Sequence, residues 1–369
     1  MAQKSFKFSL LVILAFAAMS ILAFAQTAEA EDFTPETAEP EKFYVALVTE
    51  VTELEAGKIV VVEIIKGERK GEKILIDNSG VQTAPQYVFA PGDKVVVGQF
   101  QSLDETIYYL ADYYRTDQIL GVLAFFFALA IFFGRGKGAR SILGLAFTVA
   151  ILVWFIVPQI LNGASPVLIT LAGSFLIAVV AIFLAHGLNV RAAVAFSGTL
   201  ITLILAVALA MIFVEGSQLL GLGSEEAMFL QLDPSLTLNL QGLLLSGIII
   251  GTLGVLDDVT ASQAAVVDEI SKANESLGFK ELYKRGLSVG HEHIAALVNT
   301  LFLAYAGAAL PLFLLFYINK TQPLWVILNG ELIAEEIVRT MVGSSALVLA
   351  VPITTALAAY FIPKYRNTN

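Results

Sequence analysis

The sequence predicts a polytopic α-helical membrane protein with about seven transmembrane helices, preceded by an N-terminal signal and a small exported β-barrel-like domain of the OB or SH3-like kind. Of the 369 residues, 57% are hydrophobic and only 15% are charged. This composition excludes an ordinary soluble domain. Apolar runs of membrane-spanning length fill the chain after residue 118, and short β-branched runs precede them. We therefore divide the chain into residues 1–30 (signal), 31–117 (β domain) and 118–369 (transmembrane domain).

The first 30 residues have the organisation of a secretory signal. Lys4 and Lys7 precede an apolar run from Phe8 to Ala25, and small residues occur next at Ala28-Glu29-Ala30. An uncleaved signal anchor is the alternative. Both interpretations place the β domain outside the cytoplasm.

Residues 31–117 contain four short runs rich in β-branched residues and separated by glycine and proline. Their spacing favours a small barrel with strands at Phe43–Val51, Lys58–Ile65, Glu72–Asp77 and Lys94–Phe100. The sequence contains no cysteine, which excludes disulfides and thiolate metal sites. No catalytic set of residues is apparent, so we expect this domain to dock an extracytoplasmic protein partner or to stabilise the chain.

Seven predicted spans follow, and their flanking charges predict the topology. If the β domain lies outside, the inside connections carry ten lysine and arginine residues, whereas the outside connections carry only Lys320. This asymmetry places the C-terminus in the cytoplasm. The net charge is −10, and the absence of a basic patch argues against nucleic-acid binding. The spans are about 118–133, 141–160, 166–185, 192–214, 242–263, 293–318 and 341–362.

The fifth predicted span carries two aspartates within an apolar run. Its ten Leu, Ile and Val residues between positions 242 and 264 favour insertion by roughly 3–6 kcal/mol. Asp257 and Asp258 oppose it by about 5–7 kcal/mol. Because these terms nearly cancel, the helix needs neighbours that hydrate, neutralise or pair its carboxylates, which predicts an interior polar site. The alternative is that the aspartates cap the helix at the cytoplasmic boundary. Further candidates on this segment are Thr260, Ser262 and Gln263 for the site, and Gly247, Gly251 and Gly254 for helix packing.

The sixth and seventh spans contribute polar candidates too. Glu292 and Asn299 share a helical face, which we expect to meet the aspartates. Glu335 and Arg339 are four residues apart, so the arginine can be neutralised within its own helix. Their stripe continues into the apolar run, as a substrate or ion pathway would. An exposed charge ladder is the alternative.

Several chemistries are disfavoured by spacing. A zinc hydrolase motif H-E-x-x-H would need a histidine where Ala295 stands, although His291 and Glu292 begin correctly. Aspartyl intramembrane hydrolases place their aspartates on two helices, whereas Asp257 and Asp258 share one. Signatures for nucleotide, haem and flavin are absent as well. We predict that the protein is not an enzyme and that it uses no metal and no cofactor.

Three sequence blocks resemble those of the YibE/F family of bacterial multipass membrane proteins. At the start of the sixth span the family often reads Gly-Arg-Asp, where this chain has Gly290-His291-Glu292. The resemblance implies a bacterial cytoplasmic (inner) membrane protein with an exported N-terminal domain, and it implies no reaction. The blocks are Gly251-x-Leu-Gly-Val-Leu-Asp-Asp-Val-Thr-x-Ser-Gln263, Asn299-Thr-Leu-x-Leu-Ala-Tyr-Ala-Gly307, and Glu335-x-Ile-Val-Arg339 with Val342-Gly-Ser344.

Three functional hypotheses remain. The first is an ion-coupled secondary transporter or permease with a polar intramembrane site, coupled to protons or sodium. The second is a non-catalytic membrane anchor, assembly factor or receptor that uses the exported β domain. The third is an intramembrane hydrolase. Membrane lipids are expected partners in each case.

Overall fold

The computed structural model describes residues 41–54, 57–77, 88–101, 106–234, 236–318 and 322–366. The predicted signal and Lys320 lie outside these ranges. The described chain forms two compact units, one within residues 29–129 (the β unit) and one within residues 130–369 (the helical unit).

The β unit is one antiparallel sheet of five strands in the order β3-β2-β1-β4-β5. The edge strands β3 and β5 approach one another, so the sheet curls into a half-barrel and confirms the predicted small β domain. The strands are β1 (Lys42–Leu54), β2 (Gly57–Ile64), β3 (Lys73–Asp77), β4 (Lys94–Gln101) and β5 (Thr106–Tyr113).

Two bulges bend this sheet. In β1 the pairing with β2 shifts between Val48 and Glu50, and the extra residue Thr49 donates a side-chain hydrogen bond to the carbonyl of Val61 at 3.0 Å. A second shift, opposite Val96 and Val97, falls within β5. Bulges increase local twist and interrupt the alternation of inward and outward side chains. This interruption explains why β5 was not among the predicted strands.

The helices confirm a polytopic membrane protein. Among the described residues, five helices are long and apolar enough to cross a membrane when α1 and its continuation to Leu161 are counted as one, or six if α7 and α8, bent by 67°, form one span. The helices are α1 (Thr116–Ile151), α2 (Val157–Leu161), α3 (Pro166–His186), α4 (Val190–Gly216), α5 (Glu225–Leu232), α6 (Leu240–Ala273), α7 (Phe279–Ala308), α8 (Leu310–Ile318), α9 (Leu324–Asn329) and α10 (Glu331–Arg366).

The first two predicted spans both fall on α1 and its continuation. Instead of the predicted loop over residues 134–140, the helix is interrupted by a kink at Arg135, where φ is 50° and ψ is −135°. The two predicted spans remain separate helices, because the chain reverses at Arg135: a Cβ added at Gly138 would clash with the carbonyl oxygen of Ala130, which lies eight residues earlier and would be about 12 Å away along one continuous helix.

The helical unit is organised around α4, α6 and α10, each of which packs against the other two. Helix α3 packs on α4 and α6, and α7 packs on α6 and α10. Leu203 of α4, Leu256 of α6 and Ala350 of α10 are buried in one common apolar cluster. Long apolar helices bury their best-fitting faces against each other and leave the remainder to lipid.

Between α1 and α2, residues Leu152–Ile156 form a π-helical turn. Both Ile151 and Ile156 approach Gly173 of α3. A Cβ added at Gly173 would lie 2.5 Å from Ile156 Cδ1 and 3.4 Å from Ile151 Cγ2. Only a glycine leaves room for both isoleucines.

Candidate functional site

Helix α6 carries the polar residues on which the predicted site depends. Asn239 caps its first turn by accepting a hydrogen bond from the Gly242 amide at 2.8 Å. Asp257 is half-buried and Asp258 is exposed, because adjacent residues point about 100° apart on a helix. The structure thus separates the two aspartates, and only Asp257 faces the helical bundle.

The Asp257 carboxylate is incompletely satisfied. Its Oδ1 atom is buried and has no hydrogen-bond partner among the residues that the structure describes. A buried carboxylate oxygen without a partner loses its hydration energy and gains no protein contact in return. A proton, a cation, a water molecule or a solute donor would supply the missing contact.

Thr260 and Gln263 connect α6 to its neighbours. The hydroxyls of Thr260 and Thr199 of α4 share a hydrogen bond of 2.7 Å. Gln263 donates through Nε2 to the carbonyl of Gly286 at 2.9 Å and to the hydroxyl of Thr355 at 2.7 Å. Its Oε1 atom is buried without a partner in the described chain. The amide therefore ties together α6, α7 and α10.

Ser262 has a local role in the structure. Its hydroxyl donates to the carbonyl of Asp258 at 2.8 Å, one turn earlier in the same helix. This bond satisfies the side chain without any second helix.

The polar face predicted on α7 does not meet the aspartates. Glu292 and Asn299 are both exposed, so the expected contact with α6 is wrong for this single chain. The face that packs inward contains glycines instead. A Cβ added at Gly286 would lie 2.8 Å from Val267 Cγ2, and one added at Gly290 would lie 3.1 Å from Gln263 Nε2.

The packing glycines predicted on α6 also need correction. Gly247 and Gly254 are exposed, and an added Cβ would meet nothing within 4 Å at either position. Gly251 does pack, since its Cβ position lies 2.8 Å from the hydroxyl oxygen of Tyr305. The close approach of α6 and α7 therefore depends mainly on small residues of α7.

Glu335 is a buried anchor for a loop. Glu335 is only 4% exposed, and its Oε1 accepts a hydrogen bond from the Gly223 amide at 2.9 Å. Glu331, one turn earlier, accepts from the amides of Leu220 at 2.6 Å and Leu222 at 3.2 Å. The two carboxylates hold residues 217–224, the segment after α4, onto α10.

The same segment is fixed from α6 as well. The Gln241 side chain donates to the carbonyl of Leu219 at 2.8 Å. Gly221 has a φ of 86° and packs against the backbone of Leu240. Because a side chain is disfavoured at this φ and has no space there, the tight turn requires glycine.

Arg339 is paired within its own helix, as the spacing predicts. Its Nη1 lies 2.5 Å from Glu336 Oε1, and its Nη2 lies 4.0 Å from Glu335 Oε2. Its Nε is buried without a hydrogen-bond partner in the described residues. Glu335 therefore lies closer to the Gly223 amide of the loop, at 2.9 Å, than to Arg339, at 4.0 Å. The predicted polar stripe is thus explained by contacts that hold the loop and pair the arginine.

Buried hydroxyls occur where α4, α6 and α10 pack together, and of these only Thr260 was predicted from the sequence. Thr199 and Thr202 of α4, Thr260 of α6 and Thr354 of α10 are each 0% exposed. The hydroxyls of Thr202 and Thr354 have no partner among the described residues. We call these four residues the threonine cluster. Three Ser or Thr hydroxyls on one apolar segment, at 197, 199 and 202, were the signal that could have revealed it.

Comparison with known proteins identifies the membrane portion. Residues 122–364 match the family model described as YibE/F-like protein. No curated protein and no solved structure matches the chain.

Proposed function

The chain belongs to the YibE/F-like family, and on that premise we propose that it is an ion-coupled secondary transporter or permease, not an enzyme. Its polar intramembrane site would be centred on Asp257. We further propose that it resides in the bacterial cytoplasmic membrane, with the β unit outside and the C-terminus in the cytoplasm, in accord with the distribution of basic residues.

One observation carries this proposal: Asp257 places a buried, unpartnered carboxylate oxygen midway along an apolar helix within the described chain. A carboxylate in a low-dielectric interior is unfavourable unless it takes up a proton or binds a cation. Intramembrane acidic residues of this kind mark ion and substrate pathways in carriers. A group that alternates between loaded and empty states is what ion coupling requires.

Transport by purified protein in liposomes tests the proposal. We expect uptake of labelled sodium, or acidification of the lumen, when a sodium or proton gradient is imposed. Asp257→Asn should abolish this flux, because it removes the titratable charge and keeps the size of the side chain. Asp258→Asn, on the exposed side of α6, is the matched control and should retain flux. Equal flux in wild type and Asp257→Asn would contradict a role for this carboxylate.

A second candidate function rests on the β unit. A cavity of 780 Å³ there is lined by polar residues, including Lys94 and Gln118, and by apolar ones, including Ile119 and Leu123. Such a mixed concave surface favours binding of an extracytoplasmic protein partner by a membrane anchor, assembly factor or receptor. In that case the reconstituted protein would dissipate no gradient, and a photo-crosslinker at Gln118 would trap one defined protein in intact cells.

A further inference from the structure

We propose that two copies of this chain associate in the membrane through the outward side of α7, with Asn299 at the centre of the contact. This side of the helix carries Glu292, Ala296, Asn299 and Leu303, and we call it the α7 face. The inference goes beyond the proposed function and does not depend on transport.

The α7 face points away from the rest of the helical unit. Its four residues are separated by four, three and four positions, which places them on one side of the helix, and all four are exposed. Gly290 and Leu301 lie about 160–180° around the helix from Glu292. Both are buried, Gly290 against Val351 and Leu301 against Gly343. Helix α7 therefore packs into the bundle with one side, and the described chain does not cover the other.

Asn299 is a polar side chain on this face, inside the hydrocarbon. Helices α7 and α8 together are long and apolar enough to form a span, which the sequence predicts from residue 293. Asn299 lies six positions further, or about 9 Å along the helix. A side-chain amide that faces lipid tails loses its hydrogen bonds to water and gains none in return. A second polar helix at the same depth would supply these bonds.

A second copy of the chain fits the α7 face because the face is complementary to itself. A two-fold axis along the membrane normal brings equal residues of the two copies to the same depth. The amide of Asn299 is both a donor and an acceptor, so two copies of it can bond to each other in both directions. At the cytoplasmic end, Glu292 lies level with the exposed His291 of the other copy, which pairs a carboxylate with an imidazole.

The spacing of the α7 face also suits a pair of parallel helices. Steps of four, three and four residues give the 3.5-residue repeat with which two helices wrap around each other. One asparagine in such a seam fixes the register and the number of helices. Ala296 keeps the two backbones close, because small residues let helices approach in a membrane. From Glu292 to Leu303 the seam runs about 16 Å along the helix, roughly half the hydrocarbon thickness.

Disulfide crosslinking in native membranes tests the face. The chain has no cysteine, so a single substitution reports on a single position. Ala296→Cys and Leu303→Cys should each form a disulfide-linked dimer on oxidation, because equal residues of the α7 face meet across the two-fold axis. Phe302→Cys is the matched control. It is exposed at nearly the same depth but lies about 100° around the helix from Leu303, and it should stay monomeric.

Single-molecule photobleaching of labelled protein in liposomes, over a series of protein-to-lipid ratios, measures the association constant. Asn299→Ala should lower this constant by about 3- to 30-fold, as expected for the loss of interhelical side-chain hydrogen bonds in a membrane. Asn299→Gln keeps the donor and the acceptor and should lower it less. Val298→Ala, at an exposed neighbouring position turned by about 100°, should leave the constant unchanged.

Four results would overturn the inference. The first is a wild-type chain that stays single at every protein-to-lipid ratio. The second is a dimer that crosslinks through position 302 and not through 296 or 303. The third is an equal association constant for the wild type and Asn299→Ala. The fourth is crosslinking of Ala296→Cys or Leu303→Cys to a chain of different mass, which would assign the α7 face to another protein. Crosslinking leaves Asn299 in place, so it decides the matter even if the Asn299 variants fail to fold.

Discussion

Replacing Glu335 with alanine should release the loop over residues 217–224. The carboxylate is buried and accepts the Gly223 amide at 2.9 Å. A hydrogen bond to a charged group contributes about 1.5–3 kcal/mol, and its removal leaves the buried amide of Gly223 without a partner. We therefore expect the free energy of local opening to fall by about 1.5–3 kcal/mol. Since about 1.4 kcal/mol corresponds to tenfold, exchange should become about 10–100 times faster.

Amide hydrogen exchange followed by mass spectrometry measures this change in a peptide that covers residues 217–224. Glu335→Gln keeps an acceptor oxygen and should accelerate exchange less than Glu335→Ala does. Glu215→Ala removes an exposed carboxylate beside the same loop and should leave exchange unchanged. If Glu335→Ala exchanges at the wild-type rate, the carboxylate does not hold the loop, and a pathway role for this residue regains support.

Three further predictions address packing, charge and topology. Gly290→Ala should destabilise the fold by about 1–3 kcal/mol in detergent through overpacking. Gly307→Ala, with open space at its Cβ, is the control and should be neutral or stabilising. Equal Tm values for the two variants would contradict the close contact of α7 at Gly290. Arg339→Ala should lower the Tm several times more than Lys284→Ala, because it strands carboxylates inside the bundle; equal shifts would indicate an exposed ladder. Gly136→Cys should resist a membrane-impermeant thiol reagent in intact cells, and labelling would refute the cytoplasmic placement.

Much of the fold could be predicted because hydrophobic runs and β-branched runs are local signals. The apolar runs led to the membrane class, and four of the five strands were found from composition and turn residues. Helix α1 departs from the prediction. The charge of Arg135 and the low helix propensity of the neighbouring glycines predict a loop of several residues. In the structure the chain turns at one residue. A local pattern cannot show how few residues a turn needs.

The candidate site was only partly predictable. Asp257 is conspicuous because a charge is rare in an apolar helix. Thr202 leaves the hydropathy pattern intact, so it gives no warning of its own. Glu335 accepts its hydrogen bond from an amide 112 residues away, and a backbone donor leaves no signature in a sequence. The prediction that Glu335 and Arg339 share one face of a helix is correct, but the sequence did not reveal that Glu335 binds the Gly223 amide.

The π-helical turn at Leu152–Ile156 holds one residue more than a regular helical turn. In a regular α-helix, residues five apart diverge by about 140°, because each residue turns the chain by about 100°. Ile151 and Ile156 nevertheless both reach Gly173, since the wider turn accommodates one more residue. Deleting a single residue from 152–155 would restore a regular helical turn and leave Ile156 four residues after Ile151, about 40° away around the helix axis. Ile156 would therefore still face Gly173, so this segment can lose one residue without losing that contact.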